Sequence, residues 1–233
     1  HRYQTDKEQE SYLQARHLWE NQGLTLLERR RLNLFSTQVE YDPGLKHDLL
    51  DQPLSADEEN PFSHLYWNSE SRLDNLRYLP GKYATETLTF RERALQRADT
   101  RQQLSVPFSA GFVHFDPYAG GRTTWYSATN NVNWGQDEQA GRQSAFGGAA
   151  TSASFHDTWN VRFAPLQVDR LRHVFTPEVR YDNTFANSVD PGSLVPCDEV
   201  DMVRENEVVT FRGLNRLLTR RGEPPEPGAG RPV

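Results

Sequence analysis

The chain has 233 residues and a formal net charge of -6 at pH 7, and 36% of its residues are hydrophobic. It contains no run of the roughly 18–20 apolar residues that a membrane-spanning helix needs, and its acidic balance argues against a nucleic-acid-binding protein, which would show a basic face. A barrel that crosses a membrane with strands is not excluded, because such strands are short and alternate apolar with polar residues.

The cysteine content and the N-terminus add two constraints. Cys197 is the only cysteine, which rules out an internal disulfide framework and a cysteine-based zinc site. The chain opens His1-Arg2-Tyr3, with neither Met nor an apolar signal region, so we expect a processed product or an excised fragment.

The N-terminal part predicts a helix. Leu13, Leu18 and Trp19 recur near the 3.6-residue period within residues 5–32, and Gly23 is expected to break or cap that helix. Residues 1–33 are therefore expected to form a helical and loop segment ahead of the main domain.

The following part mixes one strand with long polar stretches. Residues 34–41 predict a strand, and Asp42-Pro43-Gly44 predicts the turn that ends it. Residues 45–61 predict a long loop, and residues 91–103 predict a loop with a helical turn.

The second half carries the clearest strand patterns. In residues 171–182 the apolar side chains fall mainly on odd positions and the charged ones on even positions, which places the two sets on opposite faces of a strand. The segments with extended character are 104–108, 111–115, 122–134, 159–164, 171–182 and 208–218. Residues 183–207 predict a long polar insertion, and the Pro- and Gly-rich tail 222–233 predicts disorder.

This pattern indicates a mainly β protein of six to nine strands, with no βαβ alternation and no sequence repeat. The expected fold is all-β: an antiparallel β-barrel or barrel segment of outer-membrane type over residues 34–221, with the short N-terminal helical segment before it. A soluble sandwich remains open, because alternation alone does not say whether the apolar face meets a core or lipid.

Two further observations bear on that choice. Aromatic residues lie near predicted strand ends, as in an interfacial girdle, although this clue taken alone slightly favours ordinary core aromatics. They are Tyr118, Trp125, Tyr126, Trp134, Trp159 and Tyr181. Tight Pro/Gly turns coexist with long loops at 45–61 and 183–207, and an outer-membrane barrel would place short turns on one side and long loops on the other.

Motifs for catalysis are weak. There is no G-x-S-x-G elbow, P-loop or G-x-G-x-x-G fingerprint. His114 with Asp116, and His156 with Asp157, lack a third metal ligand at a defined spacing, so we expect polar groups near strand ends. The small-residue run 147–153 predicts a bent strand or glycine-rich loop rather than a site of close lipid or plug approach.

Residues 171–181, LRHVFTPEVRY, resemble a barrel strand of the LptD (OstA) family of outer-membrane lipopolysaccharide-assembly proteins. The likeness extends over about residues 100–221. The other stretches that carry it are LSVPF at 104–108, FDPYAGGR at 115–122, WYS at 125–127 and GLNRLLTRR at 213–221.

The resemblance implies a large antiparallel barrel that contains a plug lipoprotein, receives lipopolysaccharide from periplasmic bridge proteins and releases it into the outer leaflet. It implies no enzymatic step, no cofactor, no metal and no nucleic acid. At about 9–11 residues per strand, 233 residues supply only an internal slice of a barrel of about two dozen strands.

Nine residues receive expected roles on this basis. The lumen-facing set is Arg172, Glu178, Arg180 and Asp182, and the lipid-facing set is Phe175, Val179 and Tyr181. Arg122 and Arg162 are expected to contact phosphate or sugar of the passing glycolipid.

Two other functions stay open at this point. One is a soluble β-sandwich that binds carbohydrate through exposed aromatics. The other is a β-rich glycoside hydrolase, which needs two carboxylates at a defined separation across a cleft. Its candidate carboxylates are Glu178, Asp182, Asp198, Glu199 and Asp201.

Overall fold

The computed structural model describes residues 10–34, 36–55, 64–81, 93–129, 139–163, 165 and 168–220. In that part of the chain the structure is built from strands and one short 3-10 turn at Pro191–Ser193. The strands are β1 (Glu10–Trp19), β2 (Gln22–Arg31), β3 (Gln38–Pro53), β4 (Tyr66–Leu79), β5 (Arg93–Ser105), β6 (Phe108–Ala110), β7 (Val113–Tyr126), β8 (Ala140–Ala153), β9 (Phe155–Phe163), β10 (Val168–Asn187) and β11 (Asn206–Arg220).

All eleven strands belong to one antiparallel sheet. Its order is β1-β2-β3-β4-β5-β7-β8-β10-β11, with β6 paired to β7 and β9 paired to β10. Among the described residues, no pairing joins β1 to β11, so the sheet is open. The prediction of an all-β antiparallel fold is confirmed. None of the described residues forms a helix long and apolar enough to cross a membrane.

The predicted N-terminal helix is wrong. The described residues of that region form the β1–β2 hairpin, in which Glu10 pairs with Arg31 and Trp19 pairs with Gln22. Glu20 opens the two-residue turn with a φ of 48°, in the left-handed region. The helical spacing of a few apolar residues stabilises this segment less than its strand pairing does, because the hydrogen-bonded ladder continues through β2 into β3. Strand formation depends on such partners, which a local pattern in the sequence does not reveal.

Three other predictions fail for a related reason. Asp42-Pro43-Gly44 lies inside β3, where the register with β4 shifts between Tyr41 and Gly44, so the proline occupies a bulge instead of a turn. Residues 45–53 continue β3, and residues 93–103 belong to β5 instead of a loop with a helical turn. Residues 5–9 and 222–233 lie outside the described residues.

The chain connections differ in length at the two ends of the strands. β1–β2, β6–β7 and β9–β10 are joined by residues 20–21, 111–112 and 164–167. In an antiparallel order, the next connections fall at the other end of the strands. They are 32–37, 80–92, 127–139 and 188–205. Connection 54–65 lies at the end of the short turns, so the two stretches predicted as long loops, 45–61 and 183–207, contribute connections at opposite ends of the strands.

Close contacts divide the chain into two units. The first unit comprises His1–Val106, Pro117–Gly148 and Asp182–Val208, and the second comprises Pro107–Asp116, Ala149–Tyr181 and Val209–Val233. Every buried hydrophobic side chain among the described residues lies in the first unit. Its core cluster is Val39, Leu76, Leu95, Tyr126, Ala128, Val189, Leu194 and Val195.

Candidate functional site

The sheet of the second unit has one apolar face and one polar face. On the apolar face Phe155 is paired with Phe175, and the ring of Trp159 stacks on His173 at 6.1 Å. On the opposite face the hydroxyl groups of Ser154 and Thr176 lie 3.1 Å apart. The predicted two-residue alternation of β10 therefore has a structural counterpart in contacts with its neighbours.

The apolar face of the second unit is uncovered. No described side chain of this unit is buried, and Phe211 is 77% exposed and Phe163 50% exposed. Large apolar side chains left in water forgo about 1.5–3 kcal/mol each relative to a buried position. A contiguous face of this kind marks a surface that meets lipid or another protein.

Aromatic pairs run along this uncovered face. Phe108 stacks on Phe115 at 5.2 Å, and Phe112 meets Phe155 edge to face at 5.8 Å. The ring of Phe175 also leaves no room beside Gly213, where an added Cβ would lie 3.3 Å from Cε2 of Phe175. The apolar face is thus laterally packed although nothing lies over it among the described residues.

The polar face of the second unit forms a shallow pocket of about 460 Å³. Ala150 and Ser152 of β8 form its low floor, between His114 on β7 and the pair Glu178 and Arg180 on β10. The small-residue run 147–153 was predicted as a bent strand or a glycine-rich loop, and it is strand, part of β8 up to the break at Ser154. Small side chains here leave open space between His114 and the pair Glu178 and Arg180, and Phe108 and Phe115 also line the pocket.

The first unit also presents an apolar row on one face. Ala15 pairs with Leu26, Leu26 with Leu45, Leu45 with Leu73, Leu73 with Ala98, and Ala98 with Trp125. Five of these side chains are exposed: Ala15, Leu26, Leu45, Leu73 and Trp125. One line of apolar side chains therefore crosses six strands on the face opposite Arg97 and Asp99.

The other face of the first unit is covered by the chain itself. Residues 188–205, the connection between β10 and β11, lie over it and are called the strap below. Val189, Leu194 and Val195 of the strap pack on Leu76 and Leu95 of the sheet. This contact forms the apolar part of the core.

A buried arginine forms the polar part. Arg97 of β5 donates 2.7 Å hydrogen bonds to Asp74 of β4 and Asp198 of the strap, and a 2.9 Å hydrogen bond to Asp201 of the strap. The Arg97 side chain is 0% exposed, as expected for a charge that is enclosed by partners. The planar guanidinium, with five donors, is suited to contact several carboxylates at once.

A second buried arginine holds the strap by its backbone. Arg142 of β8 donates to the carbonyl oxygens of Val200 and Asp201 and also to the hydroxyl of Thr124. Tyr41 of β3 donates a 2.8 Å hydrogen bond to Asp198. The Asp198–Asp201 end of the strap is therefore contacted by side chains from β3, β5 and β8. Asp74 of β4 also binds Arg97, the arginine that contacts both aspartates.

Local electrostatics favour the ionised form of Asp198. Burial by itself raises the pKa of this carboxyl, but the hydrogen bonds from Arg97 and Tyr41 outweigh it and hold the pKa below its ordinary value. Burial raises the pKa of the Cys197 thiol, and the carboxylate of Asp201 adds to that effect. Cys197 is therefore a neutral, half-buried thiol packed against the core cluster.

The residues with expected roles take the following positions. Glu178 and Arg180 line the polar-face pocket of the second unit, and Arg172 lies on that same face beside Thr158. Phe175, Val179 and Tyr181 are each 37% exposed and have the opposite alternation on β10. Asp182 accepts a hydrogen bond from Tyr118 in the first unit. Their lumen and lipid roles stay predictions.

Arg122 and Arg162, the two arginines expected to contact glycolipid, occupy different places in the sheet. Arg122 lies on the strap-covered face, where it donates hydrogen bonds of 2.7–3.1 Å to Asp99, so its charge is already paired within the sheet. Residue Arg162 lies on β9 opposite Asp169 by register. Tyr126, one of the aromatic residues for which both a girdle and a core position were considered, is buried in the core cluster.

Sequence reasoning missed Arg97, Arg142 and Asp74. Both arginines lay in segments whose other residues gave no site motif, and the partners of Arg97 in the strap are 101 and 104 residues away. Asp198 and Asp201 were noticed only as possible hydrolase carboxylates, and both are engaged by Arg97. Within the described ranges, no three His, Cys, Asp or Glu residues are arranged to hold a metal ion.

No family model matches the chain, and no curated protein matches it.

Proposed function

We propose that this chain is a segment of an outer-membrane β-barrel of the LptD/OstA kind, which translocates lipopolysaccharide and inserts it into the outer leaflet. Its partners would be lipopolysaccharide, outer-membrane lipid, a plug lipoprotein and periplasmic bridge proteins. The protein would act as a conduit and not as an enzyme. The observation that carries the proposal is the exposed apolar face of the second unit, backed by a polar face on the same strands.

The physical argument starts from what would cover that face. A soluble sandwich buries its apolar face against a second sheet, whereas the described strands all belong to one sheet. The hydrocarbon of a bilayer would cover such a face without any protein partner. Closure of the sheet into a barrel would then give every backbone N–H and C=O group of the strands a hydrogen-bond partner. Further strands would pair with the free edges of β1 and β11.

The chain connections support the same proposal. Three short turns lie at one end of the strands together with the longer connection 54–65, and every connection at the other end is longer than those three turns. Barrels of the outer membrane have short periplasmic turns and longer extracellular loops. The end with residues 111–112 and 164–167 would then face the periplasm.

The polar face supports a glycolipid as the cargo. Arg172 and Arg180 lie on it with His114, and Arg212 approaches Glu178 at 3.9 Å from β11 while remaining 68% exposed. Arginine is suited to phosphate because its guanidinium donates two parallel hydrogen bonds. Arg162 joins this proposal as a further phosphate contact, and Arg122, paired with Asp99, is the weaker of the two arginines predicted from the sequence.

A site-specific photocrosslinking experiment tests the proposal. A photoreactive amino acid is placed at Arg180 or, as a matched neighbour on the other face, at Val179. We expect lipopolysaccharide adducts at position 180 that disappear when lipopolysaccharide synthesis is blocked, because that face would contact only glycolipid in transit. Position 179 should give lipid adducts that persist, because it would face the bilayer.

Two outcomes would contradict the proposal. One is a chain that stays soluble and folded without detergent or membrane. The other is adduct formation at position 180 that does not depend on new lipopolysaccharide while position 179 crosslinks only to protein.

A further inference from the structure

The strap is a compact turn with its own hydrogen bonds. The carboxylate of Asp201 accepts hydrogen bonds from the backbone N–H groups of Cys197 and Asp198, at 2.9 and 3.2 Å. The carboxylate of Asp198 accepts one from the N–H of Val200 at 2.8 Å. These bonds lie within the strap and do not require the sheet, so the turn is able to keep its shape when it leaves the sheet.

Several side chains attach that turn to the sheet, including Arg142, Tyr41 and Arg72. Among them Arg97 makes the shortest ion pairs with the strap, at 2.6 and 2.9 Å. Arg97 contacts Asp198 and Asp201 in the strap, and its remaining carboxylate partner is Asp74 in the sheet. Three carboxylates thus share one guanidinium. Losing the partner of a buried charge is strongly unfavourable, so the closed position of the strap depends on Arg97 far more than on an average surface ion pair.

The surface under the strap is mostly polar. Glu70, Arg72 and Arg122 form ion pairs across β4 and β7 on that face, and Lys46 of β3 bonds both Asp48 and Glu70 at 2.9 Å. These pairs connect sheet residues to one another, and Arg72 also contacts Asp198 and Glu199 of the strap at 3.8 and 3.3 Å. Removal of the strap would therefore expose a small apolar cluster within a face that is already suited to water.

We infer that the strap is a latch: it closes the polar face of the first unit while Arg97 holds Asp198 and Asp201, and it opens as a preformed turn when those ion pairs break. This inference concerns the first unit alone and does not require a membrane. If the proposed function also holds, glycolipid reaches this part of the polar face only after the latch opens.

The only cysteine of the chain reports on the latch. Cys197 lies in the strap and packs against the core cluster in the closed position. A membrane-impermeant maleimide added to the purified full chain, followed by mass spectrometry of the Cys197 peptide, measures how often the strap leaves the sheet. We expect Arg97→Ala to raise the labelling rate by at least about tenfold, because a buried ion-pair partner is lost.

Lys46→Ala is the matched control, because it removes two ion pairs of the same face that do not touch the strap. Its labelling rate should remain within about twofold of the unaltered chain, since exposed and half-exposed pairs contribute little. If Arg97→Ala destabilises the sheet, Asp198→Asn changes only the strap and should give the same acceleration with the strand content unchanged by circular dichroism.

Equal labelling of the unaltered chain, Arg97→Ala and Asp198→Asn would overturn the latch. Acceleration accompanied by loss of strand structure in Asp198→Asn would also overturn it, because the strap would then be an inseparable part of the core. Neither result bears on the crosslinking pattern at positions 179 and 180, so the latch and the transport proposal fail separately.

Discussion

Arg97 of β5 donates a 2.9 Å hydrogen bond to Asp201 of the strap, although the two residues are 104 positions apart in the chain. Each side chain is almost fully buried. The pair fixes a long connection on a sheet face that contains other charged groups, so the first unit is organised around ion pairs as much as around its small apolar cluster. Its stability should therefore respond to pH.

The pH response follows from Asp198. Its pKa in the folded chain lies below the ordinary value of about 3.9, so the stabilisation is complete above that value and is lost as the pH falls through the lower, folded pKa. The charged or titratable groups that face it are Arg97, Arg72, Tyr41, Asp74 and Asp201. We expect the strap to open in acid while the sheet remains.

Hydrogen–deuterium exchange measures this opening. The amide of Val200, which donates to Asp198, should lose protection below about pH 3.9 after correction for the intrinsic rate. Asp198→Asn should exchange quickly at every pH and show no such transition. An unaltered protection factor for the Val200 amide down to about pH 2 would contradict the prediction that protonation of Asp198 opens the strap.

The sequence predicted some of this structure and missed the rest for identifiable reasons. The alternation of residues 171–182 is local, and β10 is present with Phe175 and Glu178 on opposite faces. β5 was missed because its face includes Arg97 and Asp99, whose partners Asp74 and Arg122 lie on the neighbouring strands, 23 residues away in the sequence. Charged residues in a strand interior look like a solvated loop until those partners are known.

The β1–β2 turn provides a second test of the corrected N-terminus. Glu20 has a φ of 48°, a conformation that costs a non-glycine residue roughly 1–2 kcal/mol and that Asn tolerates better. Glu20→Asn should raise the free energy of unfolding by about 0.5–1 kcal/mol, measured by urea titration of the chain in detergent micelles. A helix through residue 20 would be weakened by the same change, so destabilisation would favour the helical interpretation.

Two adjacent glycines of β7 should respond oppositely to a methyl group. An added Cβ at Gly120 would overlap the carbonyl oxygen of Gln102 and lie 2.6 Å from Cζ of Phe146. An added Cβ at Gly121 would have its nearest contact at 3.5 Å, from the carbonyl oxygen of Ser144. Gly120→Ala must therefore displace backbone of β5, whereas Gly121→Ala meets only ordinary van der Waals contact.

We expect Gly120→Ala to lower the free energy of unfolding by about 1–3 kcal/mol, the usual cost of overpacking. Gly121→Ala should change it by less than about 0.5 kcal/mol. Urea titration of both variants under identical conditions decides the matter. Equal destabilisation by the two changes would show that the β5–β7 contact is not as close as described.

The proposed lipid-facing side of β10 can be tested by adding a charge to either face of this strand. Val179→Arg places a charge on the apolar face, whereas Thr176→Arg adds the same side chain to the polar face of the same strand. In a bilayer the first change should cost about 2–4 kcal/mol if position 179 lies near the midplane, and the second should cost little. In water the two substitutions should have similar costs in stability, because both positions are accessible to solvent.

Heat-modifiable gel mobility measures the folded fraction after refolding into lipid vesicles and into a detergent. Val179→Arg should reduce that fraction strongly in vesicles and less in the detergent, whose micelle adapts its shape to a charged group. Thr176→Arg should behave like the unaltered chain in both. A larger loss for Thr176→Arg would mean that the polar face is the one against hydrocarbon, and the transport proposal would then have no basis in this sheet.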